Sequence, residues 1–153
     1  MLSSGSQAPR FTLRDMEGAS HTLVDLLANG PVLIALYKIS CPVCQLTMPF
    51  LERIAGGGIQ IVPISQDEPA ATRKFQARFG VISPTLLDRE EDGYPVSNAF
   101  GITHVPALFL IEPGGVISLA VEGFSKADLE AIGIRAGLPP FRATDSVPSW
   151  KAG

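Results

Sequence analysis

Scarcity narrows the chemistry of this chain first. Among 153 residues there are two cysteines, two histidines and one tryptophan. So few cysteines exclude a small domain stapled by several disulfides, and the cysteines with only His21 and His104 to help make a poor four-ligand zinc site. Charge of one sign is also scarce. The formal net charge is −3, and the densest charged run, Asp88-Arg89-Glu90-Glu91-Asp92, has an arginine inside it. Nucleic acid is therefore not an expected partner. No window approaches the roughly 18 apolar residues of a membrane span, and Met1 to Gln7 lacks the basic start and apolar stretch of a secretory signal. As written, the chain reads as cytoplasmic, with export expected only for a longer form bearing a signal or anchor. A hydrophobic content of 46% suits a single domain with its own core.

Both cysteines fall in one short segment, Cys41-Pro42-Val43-Cys44, between the apolar run Val32 to Tyr37 and a stretch with helical spacing. That places a thiol pair where a strand hands over to a helix start. Unpartnered N–H groups and the positive end of the helix dipole would stabilise a Cys41 thiolate and lower its pKa. Pro42 suits the first helical position, and Cys44, three residues after Cys41, lies on the same face, so the two sulfurs can meet. In a reducing compartment such a pair reads as catalytic sooner than structural, with half of a zinc site as the alternative.

The rest of the pattern is α/β. Phe11 to Arg14 and His21 to Leu23 read as short strands around a turn at Glu17-Gly18, followed by a helical turn to Leu27. Val32 to Tyr37 is continuously apolar, the mark of a strand covered on both faces. Val43, Leu46, Phe50, Leu51 and Ile54 recur at helical spacing, predicting a helix from Pro42 that is bent at Pro49 and ends at Gly56-Gly57-Gly58. Ile59 to Ser65 predicts a strand and Ala70 to Phe79 a helix closed by Gly80, with Asp67 as its cap. Thr85 to Leu87 reads as a short strand and Val96 to Phe100 as a helical turn. Ala107 to Ile111 and Val116 to Val121 predict a hairpin around Glu112-Pro113-Gly114-Gly115, whose Pro-Gly suits a type II turn. Ser125 offers a cap for a helix to about Ala136. Residues 1–137 form one domain, and residues 138–153 an irregular proline-containing tail. Phe141, Val147 and Trp150 are costly to expose together, which favours a strap over a loose tail.

At this point the residues resemble the thioredoxin fold, specifically the redoxin or TlpA-like thiol-disulfide oxidoreductases related to AhpC/TSA proteins. The opening Gly5-Ser6-Gln7-Ala8-Pro9-Arg10-Phe11-Thr12-Leu13, the segment Tyr37 to Cys44, Pro49 five residues beyond, and Gly101 to Ile111 carry the similarity, which spans about residues 5–136. It implies a thioredoxin-like fold, a central mixed sheet flanked by helices, with an N-terminal strand extension and a central insertion. It also implies that Pro106 is a cis-proline beside Cys41, keeping metal from the dithiol and leaving the Val105 backbone to pair with an extended substrate. From position alone, Pro106 would be an ordinary trans proline opening a strand. Two departures stand out: Ser40 replaces the tryptophan that precedes the first cysteine in thioredoxins, and Ala35 replaces their buried acid. No buried base for Cys44 is evident.

The expected activity is dithiol–disulfide exchange through Cys41 and Cys44, on a protein disulfide or a small thiol, with a thiol reductant or oxidant for recycling and no cofactor beyond the pair. Pro42, Val43, Ser40, Lys38 and His104 are candidates for active-site support, the last two as cations favouring the Cys41 thiolate. The plain readings of these two are a strand-end lysine in water and an exposed loop histidine. A first alternative is a peroxidase, an antioxidant in which Cys41 is oxidised to sulfenic acid and Cys44 condenses with it. Against it, Ile34 and Lys38 stand where peroxiredoxins place proline and threonine or serine. A second is a non-catalytic binding module or metallochaperone using the dithiol and His104.

Overall fold

The computed structural model describes Met1–Gly153. Its frame is a seven-stranded sheet built around β3 (Val32–Tyr37), whose six apolar side chains are all fully buried. On one side β3 pairs in parallel with β4 (Gln60–Ser65), and on the other antiparallel with β6 (Ala107–Ile111). β6 continues antiparallel into β7 (Ile117–Glu122). Beyond β4 come the short β5 (Leu86–Leu87) and the N-terminal hairpin β1 (Thr12–Asp15) and β2 (Ser20–Thr22), giving the order β2-β1-β5-β4-β3-β6-β7. The hairpin is the N-terminal strand extension, and β5 with α4 (Pro95–Ala99) lies within the central insertion.

Strand alternation divides the core in two. Leu33, Ala35 and Tyr37 point into the layer that holds α2 (Pro42–Glu52), α3 (Pro69–Phe79) and α5 (Lys126–Ala136). Val32, Ile34 and Leu36 point the other way, towards Leu23 at the start of α1 (Leu23–Leu27), Val96 of α4 and Phe100. This is the mixed sheet between helices that the thioredoxin resemblance implies. No helix is long and apolar enough to cross a membrane.

Three local expectations change. The helix from Pro42 ends at Glu52, short of the glycines, because Arg53, Ile54 and Ala55 bond back three residues and tighten into a turn. The glycines serve close packing instead: a Cβ on Gly57 would run into the Ala136 backbone, and the Gly58 N–H donates to the Ala136 carbonyl over 2.8 Å. The β6–β7 turn is not type II. Its positive φ, 90°, falls on Gly115 and not on Gly114, with a bulge after Leu110, so a type I turn followed by a left-handed glycine closes the hairpin. Asp67 does not cap α3: Glu68 holds that position without a side-chain bond.

Residues 138–153 are an ordered strap. Arg53, at the end of α2, grips the Asp145 carboxylate with both guanidinium nitrogens, at 2.6 and 3.3 Å, and also donates to the Pro140 carbonyl. Phe141 sits between Phe50 and Phe124, with ring centroids 4.8 and 6.1 Å away. The strap then forms β9 (Trp150–Lys151), which pairs antiparallel with β8 (Phe124–Ser125).

Candidate active site

The thiol pair sits where β3 gives way to α2. Beyond Tyr37 the chain turns so that the Lys38 carbonyl accepts the Cys41 N–H at 3.2 Å, and Cys41 caps the helix. Pro42 takes the first helical position, where an N–H would lack a partner. The Cys44 N–H donates to Cys41 Sγ at 3.1 Å, so an amide at the positive end of α2 faces that sulfur. The Cys41 S–H in turn donates to the Val105 carbonyl at 3.4 Å. Both thiols are free, with Cys41 half-buried and Cys44 fully buried.

Their surroundings differ accordingly. Burial, followed by contact with the Cys41 thiol, pushes the Cys44 thiol well above the ordinary cysteine range. The negative charge of Asp67 adds to the rise, and the Lys38 backbone amide opposes it. Burial likewise holds the Tyr37 phenol above the tyrosine range. Its Oη has no hydrogen-bond partner, although Ser65 and Thr85 lie nearby.

The remaining expected residues divide into those at the cleft and those behind it. Lys38, Cys41, Pro42, Gln66, His104 and Val105 all border one open cleft. The Val105–Pro106 bond is cis, and Pro106 is buried. Lys38 forms no ion pair. His104 is exposed and meets Glu122 at 3.1 Å and Thr103 at 2.9 Å, so the rim engages it and not Cys41. Ser40 is exposed, whereas Val43 is buried in the core, its carbonyl accepting from Thr47 Oγ1 at 2.7 Å.

Asp67 is the residue that sequence reasoning misplaced. Its Oδ2 accepts the Ile39 N–H at 2.8 Å, while Gln45 Nε2 donates to the Ile39 carbonyl at 3.0 Å. Together they clamp the turn that carries Cys41. Asp67 is also a carboxylate whose charge reaches Cys44, the kind of group the sequence did not reveal. A signal was present in its position straight after β4, a strand that runs parallel to β3 and ends beside it.

Comparison with known proteins agrees with this geometry. The AhpC/TSA family pattern matches residues 4–120. The thiol-disulfide oxidoreductase ResA of Geobacillus thermodenitrificans is 32% identical over 132 residues, covering 82% of this chain and 74% of that protein. The protein of the same name from Bacillus subtilis is 30% identical over 127 residues, 80% of this chain and 69% of that one. In three dimensions the chain is similar to the thioredoxin domain of a thiol-disulfide oxidoreductase from Bacteroides vulgatus. The TM-score is 0.77 at 24% identity, over 88% of this chain and 98% of that one. With a partly exposed sulfur at a helix start, a buried partner three residues on, and a family match across most of its length, the chain belongs to the AhpC/TSA family, on its thioredoxin-fold, thiol-disulfide oxidoreductase side.

Proposed function

We propose that this thiol-disulfide oxidoreductase works through Cys41 as the attacking sulfur and Cys44 as the resolving one. The observation that carries the assignment is the asymmetry of the pair. Cys41 opens onto the cleft with an amide donor aimed at it, and Cys44 lies fully buried behind it. The Cys41 thiolate attacks one sulfur of a disulfide, that S–S bond breaks, and the leaving thiolate takes a proton. Cys44 then gives up its proton and attacks Cys41 Sγ in the mixed disulfide. The second thiolate leaves, and two electrons have passed from the pair to the substrate. The reverse direction uses the same groups.

Val105 and Pro106 form the wall against which a substrate lies, the Val105 N–H being free of any partner within the chain. Asp67 positions the Cys41 turn through Ile39, and Lys38 supplies an unpaired cation at the cleft. The pair itself is the redox group, recycled by an external thiol reductant or oxidant. The proposed setting is cytoplasmic, and fractionating the source cells tests it.

The test of the roles is trapping. Cys44→Ser accumulates a mixed disulfide at Cys41 when mixed with a disulfide substrate, and Cys41→Ser accumulates none; the opposite outcome reverses the assignment.

A further inference from the structure

The strap does not stop at the side of the molecule; it runs on to the cleft. From β9 it passes over Gly123, where a Cβ would run into the Lys151 carbonyl and lie 3.0 Å from the Gly153 nitrogen. It then reaches the carbonyl of Val105, so closely that a Cβ on Gly153 would sit 2.5 Å from that oxygen. Gly153 accordingly joins Lys38, Cys41, His104 and Val105 in bordering the cleft. Resting on the exchange chemistry proposed above, we infer that the strap sets substrate class. It lies along the backbone edge that an extended protein substrate needs, and leaves the Cys41 sulfur open to a small-molecule disulfide.

The energetics of the strap make this a gate. Its first half is pinned by charge-assisted and aromatic contacts, Arg53 on Asp145 and Phe141 between Phe50 and Phe124. Its second half is held lightly: two residue pairs between β8 and β9, one bond from the Lys126 N–H to the Ser149 carbonyl at 2.9 Å, and a Trp150 that is 62% exposed. Ser146-Val147-Pro148-Ser149 lies between the two halves. A strand-like substrate pairing at Val105 must lift residues 150–153 first, so its rate is reduced by the fraction of molecules in the lifted state. A small disulfide pays no such tax. The cleft left beside the strap, about 400 Å³, lies in the range of small-molecule sites. The electron count is unchanged: one substrate S–S bond breaks, the Cys41–Cys44 bond forms, and two substrate thiols leave.

The experiment uses the full chain, reduced, with two probes: glutathione disulfide and an unfolded protein bearing a single disulfide. Oxidation rates are measured for the native chain, for Gly153→Val and for Phe141→Ala/Asp145→Asn. The first variant wedges the strap off Val105 without touching the core, and the second releases its anchors. Amide exchange at Lys126 reports displacement, because that N–H is protected only while it is bonded to Ser149. The expected result is a rate with the protein disulfide raised about tenfold or more relative to that with glutathione disulfide once the strap is displaced. Equal acceleration of both probes, or an unchanged protein rate with the Lys126 amide exposed, overturns the gate. If Gly153→Val leaves that amide as protected as in the native chain, the strap tolerates a side chain where the gate requires contact, and the inference falls. Failure of all three proteins to react with either probe instead overturns the exchange reading beneath it.

Discussion

The two faces of the central sheet are built from the same strands and yet differ in what they bury. Behind the sheet, Val32, Ile34, Leu36, Phe100 and Phe109 form an apolar layer with one buried carboxylate, Asp88, which accepts from the Val96 and Ser97 amides and the Ser97 hydroxyl and so caps α4. In front, under α2 and α3, lie Cys44, Thr47, Ser65, Thr72 and the Tyr37 phenol, and two buried polar atoms there, Tyr37 Oη and Glu52 Oε2, have no partner. Native cores rarely leave such groups unpaired. The back face is thus a satisfied stabilising layer, while the front face accepts polar cost around the sulfur pair.

The sharpest way to break that contrast is a large cavity in the back layer. Phe109→Ala, in the back layer, should lower unfolding stability by about 3–5 kcal/mol in a denaturant titration. It should leave the Cys41–Cys44 reduction potential where it was; a shifted potential would mean that the back layer also shapes the site.

A smaller effect appears in alkali as an extra loss of stability in the reduced form, beyond the loss that both forms share from the raised Tyr37 phenol. The Cys44 thiol titrates near 9 in the unfolded chain and higher in the folded one, so above about pH 9 the folded state holds a proton that the unfolded state has lost. Stability therefore falls as pH rises through this window, by at most about 1.4 kcal/mol per pH unit. The oxidised form has no thiol to titrate there. Parallel melting curves of the two forms from pH 8 to 11 should diverge, and curves that stay parallel would remove the burial effect from Cys44.

Asp67 sharpens the comparison within the front face. Asp67→Asn keeps an acceptor for the Ile39 N–H but removes the charge that helps raise Cys44. The pH profile of the resolving step should move to lower pH by less than about one unit. Asp67→Ala, which also frees Ile39, should slow the reaction at every pH. If Asp67→Asn leaves the pH profile where the native chain has it while Asp67→Ala slows the reaction, Asp67 acts only by holding the turn.

What could be read from the sequence followed from local rules. The all-apolar run of β3, Pro42 at a helix start and the Ser125 cap each declare themselves within a few residues, and β3 runs over the expected Val32–Tyr37. The thiol pair was legible for the same reason. Asp67 was not, because its partner, Ile39, lies 28 residues away and the local pattern offered a helix cap that Glu68 occupies instead. The end of the strap was hidden too: nothing in Trp150 to Gly153 points to Val105, since the contact is backbone on backbone and leaves no side-chain signature. Pro106 needed the family resemblance, because position alone favoured a trans bond.

The smallest effect tests whether the front face truly carries a cost. Tyr37 is fully buried with an unpaired hydroxyl, so Tyr37→Phe removes a desolvated polar group while keeping the ring against Phe75, 4.8 Å away. Where a buried hydroxyl has no partner, its loss should leave stability unchanged or raise it by up to about 1 kcal/mol. Where the Ser65 or Thr85 hydroxyl turns to meet it in solution, the same substitution should destabilise by a similar amount. The sign of a single denaturation midpoint shift therefore decides whether the layer beneath Cys44 is strained by its polar groups or held together by them.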